Sequence, residues 1–174
     1  MSDWRRIFSS GDLLHMREAS ERYPNAPRHA ADCVFISHAG IDRDAIEDDL
    51  SRPLYDRKGP DGFFLHSSRS GGADGYKHIV LIALHLCRYG IVVVSRHSCG
   101  HAWVNAEVDW LLDHRRPIVI YRLDRTKPSM IHPGLEPETS PHCSIKAFDR
   151  SELRGMLEWI DQLDPSAAEL PFAR

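Results

Sequence analysis

Several features that would assign a chain to a broad class are missing from these 174 residues. No run of 18 apolar residues occurs, so hydropathy predicts no transmembrane helix and we expect no membrane partner. The formal net charge is −3 with histidine neutral, so the basic footprint of a nucleic-acid-binding protein is absent. We also find no internal repeat and no low-complexity block. What remains is the composition of an ordinary globular domain.

Cysteine is scarce and shows no paired spacing. The four cysteines stand at positions 33, 87, 99 and 143, and Cys33 and Cys87 lie in apolar patterns, as small core residues do. The opening residues MSDWRRIFSSGDLL lack the apolar region and the cleavage site of a signal peptide. Both observations favour a reduced, cytoplasmic setting.

A histidine-rich segment, RHSCGHA at 96–102, raises the alternative of a zinc site. Its potential ligands are His97, Cys99 and His101, with His142 and Cys143 further along the chain. The paired Cys-x₂₋₄-Cys spacing of many structural zinc sites does not occur, so we expect no metal. The glycines at 71–75 also lack the G-x-G-x-x-G spacing of a dinucleotide-binding turn and follow the wrong strand.

The chain is predicted to contain one main domain, over residues 31–164. An N-terminal extension (1–30) includes a short helix at 11–22, and a tail follows at 165–174. Apolar runs predict strands at 33–37, 63–66, 91–95, 118–122 and 145–148. Helical spacing predicts helices at 42–54, 76–89 and 103–114 and one that starts at Ser151. Asp42 and Ser151 are the expected N-caps and Gly90 the expected C-cap, while the proline-rich segment 124–142 is expected to be loop.

This alternation predicts an α/β fold. Strands that are continuously apolar are covered on both faces, which is typical of a parallel sheet with helices on each side. We expect a doubly wound (flavodoxin-like) sheet of five parallel strands in the order 2-1-3-4-5. The loops that leave the first and third strands, at Ser37 and Ser95, would then flank a crevice where such sheets hold ligands.

The helix that follows the third strand brings a carboxylate to this crevice. Trp103 and Glu107 are four residues apart in WVNAE and share one helical face. Glu107 is therefore a candidate for chemistry, although a solvated helix glutamate is the plain alternative. Trp103 either stacks on a ligand or anchors the helix to the core, and both can hold.

Four boxes in order and spacing resemble TIR (Toll/interleukin-1 receptor) domains. Residues 34–44 (VFISHAGIDRD) resemble the first box, and residues 63–65 with the loop to Gly75 resemble the second strand and BB loop. Ser95 with Trp103-Val104-xx-Glu107 is similar to the Trp-x-x-x-Glu box of enzymatic TIR domains, and 118–122 resembles the fourth strand. Two departures are His66, where the family often has Asp, and the histidine-rich loop 96–102.

The resemblance implies an NAD⁺ nucleosidase like the stand-alone bacterial TIR proteins of antiphage defence. Glu107 would then be the catalytic residue that binds the ribose and stabilises developing positive charge. Trp103 and the flexible-loop residue Arg69 would contact substrate. The loop Ser37, His38, Ala39 and Gly40 would cradle the diphosphate or the ribose.

The same resemblance sets the expected partners. NAD⁺ would be the substrate, so no separate cofactor is expected. Self-association through TIR contacts would complete the site, and a downstream effector would sense linear or cyclic ADP-ribose. Two alternatives stay open: a non-catalytic TIR scaffold, and a domain that uses the same crevice on another nucleotide.

Overall fold

Five short apolar segments form one parallel sheet. The computed structural model describes residues 7, 34–59, 62–65, 73–136 and 144–163. Its strands are β1 (Val34–Ser37), β2 (Phe63–Leu65), β3 (Tyr89–Val94), β4 (Ile118–Arg122) and β5 (Ile145–Asp149). Neighbouring strands are paired in the order β2-β1-β3-β4-β5, and every pair is parallel. The predicted doubly wound α/β fold and its strand order are confirmed.

Helical segments alternate with these strands. One helical stretch follows β1, made of a 3₁₀ turn (Gly40–Asp42), α1 (Arg43–Ile46), a π-helical segment (Glu47–Ser51) and α2 (Arg52–Lys58). The later helices are α3 (Ala73–Leu86), α4 (Ala102–Asp113) and α5 (Leu153–Gln162). Further 3₁₀ turns lie at Pro128–Met130, Pro133–Leu135 and Arg150–Glu152.

Side chains of each strand alternate between two cores, one on each face of the sheet. In β1, Phe35 joins a core formed with α3 and α4, while Val34 and Ile36 join a core formed with α1, α2 and α5. This two-sided burial explains why β1, β3 and β4 are almost continuously apolar, whereas the edge strand β5 is partly exposed. It also means that Ser37, two residues after Phe35, faces the side of the sheet on which α4 lies.

Over its described residues 124–136, the proline-rich segment is largely loop, as predicted, with two short 3₁₀ turns, and it packs against the rest of the molecule. Ile131 and Leu135 are buried in the core that α4 helps to form. His132 Nε2 lies 2.9 Å from Asp109 Oδ1 of α4. The loop therefore supports the helix that carries Glu107.

Two predicted helix caps are wrong. Gly90 does not end a helix: α3 stops at Leu86, and Gly90 pairs with Phe35 and Ile118 inside β3. A Cβ at Gly90 would lie 2.4 Å from Leu111 Cδ1, so a side chain at this position would require the Leu111 side chain to shift. The last helix is capped by Asp149 in a capping box with Glu152, because the helical turn begins one residue before Ser151.

Some predictions fall outside the described residues. These are the helix at 11–22, the core position of Cys33, Arg69 in the flexible loop, and the zinc alternatives His142 and Cys143. Across the residues that the structure does describe, no helix is both long enough and apolar enough to cross a membrane.

Candidate functional site

The candidate site lies at the switch point between β1 and β3, where the order in which strands are added to the sheet changes direction. These strands are neighbours in the middle of the sheet, and both end at the same edge. The chain leaves β1 towards α1 on one face and leaves β3 towards α4 on the other. The two departing loops therefore separate at this edge, which is where open α/β sheets form a ligand crevice.

Ser37 and Glu107 meet at this edge. Ser37 Oγ donates a hydrogen bond of 2.6 Å to Glu107 Oε2, across 70 positions of sequence. Ser37 is the last residue of β1 and is fully buried, while Glu107 lies in the second turn of α4 with 6 % of its surface exposed. The interpretation of Glu107 as a solvated helix glutamate is therefore wrong. The carboxyl group lies beside the loop that leaves β1.

Burial changes the ionisation of this carboxyl group. Removal from water raises the pKa of Glu107 from its ordinary 4.5 to about 8, and the Ser37 hydrogen bond opposes that rise by favouring the charged form. No ion pair joins Glu107 to a cation within the described part of the chain. At neutral pH the carboxyl group of the free protein is therefore mostly protonated. A cationic ligand beside it would favour its ionisation.

A second serine–carboxylate pair lies at the same edge of the sheet. Ser95 Oγ donates a hydrogen bond of 2.5 Å to Asp42 Oδ2, and both residues are buried. Asp42 makes no side-chain cap bond, either to the 3₁₀ turn or to α1. Asp42 occupies the predicted N-cap position of α1, but its side chain does not cap the helix, because the carboxylate reaches across to the loop that leaves β3.

The remaining loop residues after β1 differ in exposure. Ala39 is buried, Gly40 is exposed, and a Cβ at Gly40 would meet nothing within 4 Å. His38 is half-buried, with Nδ1 3.3 Å from the Ile36 carbonyl oxygen. Burial lowers the pKa of His38, and Arg43 and His101 act in the same direction. His38 is therefore a neutral imidazole at physiological pH, with Nδ1–H as the donor and Nε2 as an acceptor.

Trp103 is half-buried and packs against the core between the sheet and α4. The core-anchor interpretation is therefore confirmed, while stacking on a ligand ring stays a prediction. Trp103 and Glu107 lie on the same helix, but their side chains meet different surroundings: one packs on the core and the other bonds Ser37.

The histidine-rich loop is organised by serine. Ser98 Oγ donates to the Val93 carbonyl oxygen at 2.9 Å and accepts from the backbone N–H of Ser95 at 3.1 Å. His101 ends the loop and caps α4, where its side chain accepts from the Val104 N–H. Among the residues described, no three His, Cys, Asp or Glu side chains are grouped to hold a metal ion.

Sequence reasoning missed Asp42 and Ser95 as a pair. A signal was present: a serine stands at the end of β1 and another directly after β3, and an acidic residue follows each of them in the next helical segment. Ser37 precedes Asp42, and Ser95 precedes Glu107. The sequence could not show that each serine bonds the acid that belongs to the other strand.

Comparisons with known proteins add no relative. No family model, no curated protein and no solved structure matches the chain. The five-stranded parallel sheet in the order 2-1-3-4-5 is compatible with TIR-like folds.

Proposed function

We propose that the protein cleaves NAD⁺ at the bond between nicotinamide and ribose. The single observation that carries the proposal is Glu107, a buried carboxyl group held by Ser37 at the crevice between β1 and β3. The resemblance of residues 103–107 to the Trp-x-x-x-Glu box adds to it. Topology, burial and motif lead to the same side chain.

The chemistry fits a carboxylate in a dry site. As the C1′–N bond breaks, its electron pair leaves with neutral nicotinamide and positive charge develops on the ribose. A carboxylate shielded from water stabilises that charge more strongly than an exposed one. Water then attacks C1′ and loses a proton, so NAD⁺ and water give nicotinamide, ADP-ribose and H⁺. Attack by an adenine nitrogen instead gives a cyclic product and the same proton.

The ionisation of Glu107 suits a cationic substrate. Burial holds the pKa of Glu107 at about 8 in the free protein, so the acid form dominates at neutral pH. The positive nicotinamide ring of NAD⁺ would favour the carboxylate and cause release of its proton. The pH dependence of kcat/KM reports ionisation in the free protein, so kcat/KM should rise with pH until about pH 8.

The test compares Glu107→Gln with wild type. Glutamine keeps the size and can accept the Ser37 hydrogen bond, but it cannot carry charge. We expect kcat for nicotinamide release, followed by HPLC, to fall by about 10²–10³-fold. Asp113→Asn is the matched control, because it removes a carboxylate from an exposed position of the same helix and should leave the rate near wild type.

Two outcomes would contradict the proposal: wild type that releases no nicotinamide at high protein concentration, or Glu107→Gln as active as wild type. Mass spectrometry of the product in the same assay separates linear from cyclic ADP-ribose. Under this proposal the product is a signal for a separate effector in antiphage defence, and self-association would complete the site.

A second candidate function is a non-catalytic TIR scaffold that acts by association with other TIR domains. The observation that favours it is that Glu107 already has a hydrogen-bond partner and is 94 % covered, with 6 % exposed. Such a pair can serve packing alone. In this case Glu107→Gln would leave partner binding unchanged, and NAD⁺ would be neither bound nor consumed.

A further inference from the structure

The two serine–carboxylate pairs cross between the same two loops. The end of β1 and the turn after it contribute the donor Ser37 and the acceptor Asp42. The turn after β3 and the helix α4 contribute the donor Ser95 and the acceptor Glu107. Ser37 faces the α4 side of the sheet. Asp42 is the last residue of the 3₁₀ turn that opens the helical stretch on the other side. The loops are thus joined at two points, one towards each face of the sheet.

Ser95 begins the turn after β3, and its hydroxyl group takes part in several of the side-chain hydrogen bonds that hold this turn. Its Oγ accepts from the backbone N–H of His97 at 3.0 Å and of Ser98 at 3.3 Å, while it donates to Asp42. The hydroxyl therefore joins two backbone N–H groups of the turn to one carboxylate of the neighbouring loop. Asp42 is itself 7 % exposed, so water does not readily replace it.

The turn leads directly to α4. The backbone N–H of His101 bonds the Ser98 carbonyl oxygen at 3.1 Å, and the His101 side chain caps the helix. Glu107 follows in the second turn of that helix. A displacement of the turn would therefore be passed on to Glu107 through a short, continuously hydrogen-bonded path.

We propose that Asp42 is a positioning residue for Glu107: by accepting the Ser95 hydrogen bond, it holds the turn that sets Glu107 against Ser37. The consequence for catalysis rests on the proposed function, but the positioning itself does not.

The first experiment needs no substrate. The carboxyl carbon of Glu107 is titrated by ¹³C NMR in the full-length protein, in wild type, Ser37→Ala, Asp42→Ala and Asp42→Asn. In the described part of this crevice, Arg43 and His101 act electrostatically on His38, and all three residues are kept in every variant.

Loss of the Ser37 bond removes a donor that favours the carboxylate. We therefore expect the Glu107 midpoint to rise by about one pH unit in Ser37→Ala. If Asp42 acts through that bond, Asp42→Ala should raise the Glu107 midpoint in the same way. In a double variant that combines Ser37→Ala with Asp42→Ala, the midpoint should then rise no further than in either single variant. Asp42→Asn should stay near wild type, because its amide oxygen can still accept from Ser95.

A matched control separates positioning from a general loss of stability. Asp49 lies on the same helical stretch and accepts from Tyr121 Oη at 3.0 Å and from Arg150, away from Ser95. Asp49→Ala should lower the melting temperature but leave the Glu107 midpoint unchanged. Should Asp42→Ala fail to fold, Ser95→Ala removes the donor of the same bond and carries the same expectation.

Three results would overturn the proposal: an unmoved Glu107 midpoint in Asp42→Ala, additive shifts in the double variant, or Asp42→Asn as impaired as Asp42→Ala. In the NAD⁺ assay, we expect Asp42→Ala to lower kcat about tenfold or more, with a smaller change in KM. A wild type without turnover would end the proposed function, while the titration would still decide the positioning.

Discussion

The hydroxyl group of Ser37 influences the pKa of Glu107. Its Oγ donates to Glu107 at 2.6 Å, and this hydrogen bond lowers the pKa of Glu107, whereas burial raises it. A donor that is lost on one side of a buried carboxylate leaves the charged form less favourable. The hydroxyl of Ser37 therefore helps to decide at which pH a carboxylate is present at the crevice.

We predict that Ser37→Ala moves the rising limb of kcat/KM for NAD⁺ cleavage to higher pH, by about one unit. At neutral pH the variant should be slower than wild type, and above the shifted midpoint it should recover most of its rate. The measurement is nicotinamide release across a pH series. Ser129→Ala, in the loop after β4, is the control and should keep the wild-type profile; an unshifted profile in Ser37→Ala would exclude this role.

At the scale of single residues, the pattern identified Glu107 and its neighbourhood but not the partner of Asp42. An aspartate at a helix start can cap its own helix or reach a neighbouring loop, and both are locally favourable. Which one occurs depends on whether another loop brings a donor within hydrogen-bond distance. Ser95 is 53 positions away in sequence, so local rules contain no information about it.

At the scale of elements, α4 owes its position to a close approach on β3. Gly90 has no side chain, and Leu111 fills the space that a Cβ would need, with Cδ1 at 2.4 Å from that point. Leu111 is fully buried four residues after Glu107 on α4. The packing that excludes a side chain at Gly90 thus also fixes the helix that presents Glu107.

We predict that Gly90→Ala lowers the free energy of unfolding by about 1–3 kcal/mol, because the added methyl overpacks against Leu111. The cost should be smaller in a Leu111→Ala background, and a double-mutant cycle by urea unfolding measures this coupling. Gly40→Ala is the control: its Cβ would meet nothing within 4 Å, and it should be neutral or slightly stabilising. Equal costs in both backgrounds would exclude the contact as the cause.

At the scale of the whole molecule, Glu107 and His85 make the stability of the fold depend on pH in opposite directions. Burial raises the pKa of Glu107 to about 8, and the folded protein then binds more protons than the unfolded chain between pH 4.5 and about 8. The stability linked to Glu107 is therefore highest below pH 4.5 and is lost as pH rises. Burial lowers the pKa of His85 to about 4, so its contribution is present above pH 6.5 and is lost as pH falls.

We predict that Glu107→Gln melts at a higher temperature than wild type at pH 9, with the difference shrinking towards pH 5. For His85→Phe the pH dependence should have the opposite sign: its melting temperature relative to wild type should rise as pH falls from 6.5 towards 4. Differential scanning calorimetry over the pH series measures both differences. If the Glu107→Gln difference does not change with pH, the buried carboxyl group is not the cause of the alkaline loss.

The sequence by itself determined the alternation of strands and helices, the parallel sheet and its order, and the placing of Glu107 near the end of β1. Periodicity and two-sided burial are local or nearly local properties, so a single chain displays them directly. The tertiary structure alone decided the crossed pairing of Ser37 with Glu107 and Ser95 with Asp42, and the close approach of Leu111 to Gly90. These depend on distances between atoms that are far apart in the chain, and those distances exist only once the sheet and its helices have packed together.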